Sequence, residues 1–192
     1  MTSAEISNRA ATHVRGRAIG AQIGGVFGAV FVWINSAALT PSIRVPLLVI
    51  AGTSLVAVIA LSIHSLRRRT ASVTTTTGRS PLDWKYWLIV GIEAVALVGG
   101  SQVLTALGHP ELGIAWVAVV VGTHFFALAR VFRLARFHVL GAVITACGLA
   151  GFVIRWFGQI EPIAIASGVL TGFVLLAFSL WAFAPMRRPA SA

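Results

Sequence analysis

Residues 116–132 read WVAVVVGTHFFALARVF. The run is a lipid-soluble helix in composition, broken only by a histidine near its middle and an arginine six places later. About 20 apolar residues cross a hydrocarbon core of about 30 Å, so this stretch, extended to either side, suffices for one crossing. Two questions follow: whether the rest of the chain is built the same way, and why His124 is there.

Composition answers the first. Of 192 residues, 57% are hydrophobic and only 10% charged, and the mean hydropathy is +0.90. A soluble domain with a water-facing surface does not have these values. Apolar runs read against proline, glycine and charge give six spans, at about 18–39, 45–66, 86–106, 112–132, 139–157 and 163–184. The segments TPSIRVP, GHPE and GQIEP form three of the connections, and a polar basic loop at 67–85 forms the long one. The expectation is an all-α polytopic membrane protein, a six-helix bundle forming one membrane domain over 1–192.

The formal charge of +10 would suggest nucleic acid in a soluble protein, but here its placement matters more than its total, and no nucleic-acid partner is expected. Arg9, Arg15, Arg17, Arg67, Arg68, Arg69, Arg79, Lys85, Arg130, Arg133, Arg136, Arg187 and Arg188 fall on one side of the six-span scheme. Arg44 and Arg155 alone fall on the other. The positive-inside rule therefore predicts that the N-terminus and C-terminus are both cytoplasmic; the expected location is a bacterial-type inner membrane, multi-pass. Trp33, Trp84, Tyr86, Trp87, Trp116, Trp156 and Trp181 all fall near expected boundaries, where amphipathic rings are favoured.

The polar, basic start leading into a long apolar stretch reads as an uncleaved signal anchor. A cleaved secretory signal ending near Ser36-Ala37-Ala38 would need a shorter apolar region. In the long loop, Arg67, Arg68 and Arg69 are candidates for anionic-lipid contact beside the bilayer, and Thr70 or Ser72 is a weaker candidate for phosphorylation.

Gly16, Gly20, Gly24 and Gly28 recur every four residues in the first span, with a shorter repeat at Gly168 and Gly172. Residues four apart share a helix face, and glycine there lets another backbone approach closely. This glycine zipper serves packing within the bundle or a homodimer through the first span. Arginines at 130, 133 and 136 have the spacing of a voltage sensor, but they cluster at a membrane boundary and serve as topology anchors.

Ionisable groups inside the membrane are the informative remainder. They are costly in lipid and usually face the bundle interior beside a partner. Glu93 in the third span and His124 in the fourth lie at depths differing by about 1.5 Å for upright helices. The connection between these spans is short, so they are expected to be antiparallel neighbours and the two residues a pair. Three roles compete: a structural inter-helix hydrogen bond, a proton or cation relay or substrate contact, and the acid/base pair of an intramembrane enzyme.

Thr123, Gln102, His64 and Gln22 are possible supporting residues, and Asn35 is a further polar group in the first span. No metal or cofactor is expected, because no His or Cys pair has ligand spacing. Cys147 reads as a small core residue.

A faint internal repeat aligns GHPE with GQIE, pairing Gly108 with Gly158, Glu111 with Glu161 and Gly122 with Gly172. At Gly122, His124, Phe125, Leu128, Ala129 and Arg130 the chain resembles a group of small bacterial integral membrane proteins with six predicted spans and no assigned function. Members often carry proline before the Leu-Ala pair, where this chain has Ala127. The resemblance implies membrane class and draws attention to His124, without a substrate. The leading expectation is a small transporter or permease-like protein with a polar site at Glu93 and His124. A non-catalytic accessory or scaffold protein and an intramembrane enzyme on a lipid-soluble substrate are the alternatives.

Overall fold

The computed structural model describes residues 3–70, 84–132 and 135–184. Each apolar run becomes one helix. α1 spans Ser3–Asn35, α2 Pro41–Thr70, α3 Trp84–Ala106, α4 Gly113–Phe132 and α5 Ala135–Trp156. α6, Glu161–Trp181, changes winding along its length, with a π segment at Ala164–Val169 between α-helical Glu161–Ile163 and Leu170–Trp181. One 3-10 turn, Pro110–Leu112, leads into α4. There is no strand among the described residues, and six helices are long and apolar enough to cross a membrane.

Hydropathy locates lipid, not helix ends, and the differences from the sequence reading follow from that. α1 starts at Ser3 and α2 runs on to Thr70, so the expected loop at 67–85 loses its first residues to helix. Nothing in His64–Thr70 breaks a helix, since leucine and arginine are good helix formers and neither proline nor glycine intervenes. α5 likewise begins at Ala135, before its expected start at 139. α4 passes through Ala127 without interruption.

The α3–α4 and α5–α6 turns share one geometry. Gly108 and Gly158 sit at φ +80 and +77, a region that only glycine enters without strain. Each closes the preceding helix with the same two bonds: His109 N–H donates to Leu104 O at 2.9 Å and Gly108 N–H to Thr105 O at 3.0 Å, as Gln159 N–H does to Ile154 O at 3.2 Å and Gly158 N–H to Arg155 O at 2.9 Å. This is the Schellman pattern, and a proline opens the next helix shortly after it in both turns.

α6 is the centre of the bundle. Its Val169 and Leu176 pack with Val32 of α1 and Ala51 of α2, its Leu175 with Ala118, Leu140 and Ile144 of α4 and α5, and its Ile163 with Ala115 and Leu112. Close backbone approach draws α1 onto α6. A Cβ on Gly28 would stand 2.7 Å from the Gly172 carbonyl oxygen, and one on Gly172 would stand 2.6 Å from the Gly28 carbonyl oxygen. Gly24 faces Ser179, and Gly168 faces the Asn35 side chain. α4 and α5 meet the same way, with Gly122 against Thr145 and Gly148 against Val119 and Ala115. α3 is the exception: no residue of its span Trp87–Ala106 is fully buried, and it lies at the edge of the bundle against α4.

Candidate functional site

The hairpin of α3 and α4 builds the site by symmetry about its turn. Glu93 lies fifteen residues before Gly108 and His124 sixteen after it, so two antiparallel helices of equal rise bring them to one level. The structure places them in contact: His124 Nδ1 is 3.1 Å from Glu93 Oε2, with side-chain exposures of 11% and 19%. The distance is that of an ion pair, but the approach is off line. His124 Nδ1 is buried and makes no hydrogen bond of acceptable geometry. Proton transfer within the pair leaves its net charge unchanged, whereas gain or loss of one proton changes it by one unit. Carboxylate and imidazole are the side-chain pair suited to such exchange near neutral pH.

A second contact, eight residues from the turn on either side, fixes the register. The Trp116 indole lies against Gly100, and its Nε1–H donates to the Ala96 carbonyl at 2.8 Å. A side chain at residue 100 would collide with the ring, so the absence of a Cβ there is what lets α3 lie close to α4. Trp116 is one of the aromatics expected near a span boundary, and its N–H is used between helices; the signal for this in the sequence is the equal spacing of Gly100 and Trp116 about Gly108.

The other sequence candidates are not gathered around the pair. Thr123 is exposed beside His124, and its hydroxyl donates to Val120 O at 2.8 Å within its own helix. Gln102 is nine residues, two and a half turns, from Glu93 and faces the opposite way on α3. His64 is exposed on α2 and Gln22 is half-buried on α1, and neither bonds to the pair. Of the glycines at 16, 20, 24 and 28, Gly24 and Gly28 are covered by α6, and a Cβ on Gly20 would meet nothing within 4 Å. The surroundings of Gly16 and the side chains of Arg68 and Arg69 lie outside the described residues, as do Ser72 and Arg79; Arg67 is exposed.

Two polar groupings were not read from the sequence as sites. Beyond the turn from the pair, Arg155 Nε donates to Glu111 Oε1 at 2.7 Å, and His109 Nδ1 lies 3.2 Å from the same oxygen. This ties the end of α5 to the turn that leads into α4, and it neutralises one of the two arginines expected on that face. Within the bundle, the π segment presents buried Ser167, whose hydroxyl donates to the Cys147 carbonyl at 2.9 Å. Neither had a local signal, since the partners are 44 and 20 residues apart.

Among the described residues no three His, Cys, Asp or Glu side chains come together in a way that could hold a metal ion. An apolar groove of about 280 Å³ opens between α1 and α2, lined by Val26, Val30, Trp33, Leu48 and Leu55 among others, and includes neither member of the pair. No protein-family model, curated protein or solved structure matches the chain.

Proposed function

We propose that this chain is a small transporter of a bacterial-type cytoplasmic membrane, with both termini cytoplasmic, in which Glu93 and His124 bind and release a proton or a cation during transport. The observation that carries the reading is the 3.1 Å approach of two ionisable groups whose shared hydrogen bond is left unmade. A purely structural tie would complete that bond, because a buried unsatisfied polar group costs about 1–3 kcal/mol. A group kept for exchange must be free to change partner.

The placement of α3 supports the same reading. Most helices in the bundle have fully buried residues holding them in place, while α3 has none in its span and rests against α4. A shift of α3 that makes or breaks the pair disturbs the Trp116 contact but no fully buried side chain of α3. The distribution of arginine, thirteen against two, supports the orientation.

The proton itself serves as probe. The purified chain in liposomes with an internal pH-sensitive dye, under a potassium–valinomycin potential, is expected to carry protons, and Glu93→Gln and His124→Ala are expected to abolish the flux while remaining folded. A wild-type protein with no flux, whose two variants lose only stability, would establish the scaffold reading instead. The accessory role has one observation in its favour, the close glycine packing of α1 on α6 and α4 on α5, which makes a rigid body.

A further inference from the structure

α3 turns one face to α4 and leaves the other open. At about 100° per residue, Glu93, Ala96, Gly100 and Leu104 share the packed face, and all four are partly buried. The opposite face carries Leu88, Gly91, Val95, Val98, Gln102 and Thr105, all exposed, with Val95 at 73% and Val98 at 64%. These six recur at alternating intervals of three and four, which is the heptad spacing of a helix seam.

Apolar side chains on such a face need no partner in lipid, but Gln102 does. It lies about 8 Å from the middle of the span Trp87–Ala106, within a hydrocarbon half-thickness of about 15 Å. Helical side chains lean toward the helix N-terminus, which on α3 is back toward the midplane and away from the nearer headgroups. Its carboxamide forms no hydrogen bond with any described residue, and lipid tails offer neither donor nor acceptor.

We infer that the Gln102 face of α3 is a homodimer interface, occupied by the same face of a second copy of this chain. A carboxamide holds both donors and an acceptor, so it is self-complementary, and a two-fold axis sets a residue against its own copy. Two copies inserted in one direction have α3 parallel and Gln102 at the same depth without adjustment. Heptad spacing suits the left-handed crossing of about +20° usual between membrane helices. On Gly91 and Gly99 a Cβ would meet nothing within 4 Å, so room remains for a second backbone. On α1, by contrast, Gly24 and Gly28 already hold α6. The inference does not depend on the proton chemistry of Glu93 and His124.

Disulfide trapping in membranes tests it, using the full chain carrying Cys147→Ala and one new cysteine. Val98→Cys and Val95→Cys on α3 are compared with the lipid-facing controls Val26→Cys on α1 and Val56→Cys on α2. The α3 positions are expected to give a cross-linked dimer on oxidation and the controls little. By energy transfer on dilution in lipid, Gln102→Leu should weaken association roughly 3- to 15-fold, from the measured range for inter-helix polar contacts, while Gln102→Asn retains most of it. Because Gln102 is exposed, the monomer fold should survive both changes, as checked by tryptophan emission. Cross-linking at α3 no greater than at the controls, a dimer trapped at Val26→Cys alone, or undiminished association in Gln102→Leu would overturn the inference.

Discussion

Replacing Gly28 with alanine adds one methyl group where α1 and α6 touch, and the structure sets the size of the effect. The new Cβ would lie 2.7 Å from the Gly172 carbonyl oxygen, 2.9 Å from Leu176 Cγ and 3.1 Å from Leu175 Cβ. Ordinary contact begins near 3.4 Å, so the helices must part by about 0.7 Å. A gap of that order forfeits a quarter to a half of each dispersion contact along the line of separation. The neighbouring contacts of Gly24 with Ser179 and Gly168 with Asn35 are on that line. Overpacking of a well-filled core costs about 1–3 kcal/mol, and the lower half of that range fits a single methyl group with a leucine able to move. Gly20→Ala is the internal control: the same chemical change on the same helix face meets nothing within 4 Å. It should be neutral, or stabilising by up to about 1 kcal/mol through helix propensity. Reversible unfolding in mixed micelles or bicelles, followed by tryptophan emission, compares the two. Equal stability of Gly28→Ala and Gly20→Ala would refute the assignment of Gly28 to the contact with α6.

Trp116→Phe should destabilise the α3–α4 hairpin by about 0.5–1.5 kcal/mol through loss of the bond to the Ala96 carbonyl, measured by the same unfolding assay. Gly100→Val should do more, because its side chain would occupy the volume of the indole; proton flux falling together with hairpin stability in that variant would show that the Trp116 contact sets the register of the pair. Ser167→Ala should cost about 0.5–1.5 kcal/mol by removing the hydroxyl that bonds the Cys147 carbonyl, and an unchanged midpoint would show that the bond contributes nothing net. Glu111→Ala should free Arg155 and increase its reactivity toward a guanidinium-modifying reagent applied from the same face, with proton flux retained.

Membrane insertion is a property of each segment taken alone, and for that reason six crossings were legible along the chain. An apolar run of sufficient length satisfies its backbone internally and its side chains in lipid wherever its neighbours are. The pairing of Glu93 with His124 was nearly as local, since a short turn makes neighbours of α3 and α4 and a constant rise per residue sets depth. The turns at Gly108 and Gly158 were visible as a glycine followed within two to four residues by proline, at Pro110 and Pro162. What the residues alone left open was which face each helix turns to which neighbour. In lipid most of each helix surface is apolar on every side, so hydrophobicity does not point inward as it does in water. Only close packing chooses. It chose Gly28 against Gly172, Trp116 against Gly100 and Ser167 against Cys147, while leaving Gln102 pointing away from its own bundle. These contacts depend on how closely two helices approach, with a few tenths of an ångström deciding the fit, and the tertiary structure alone decided them.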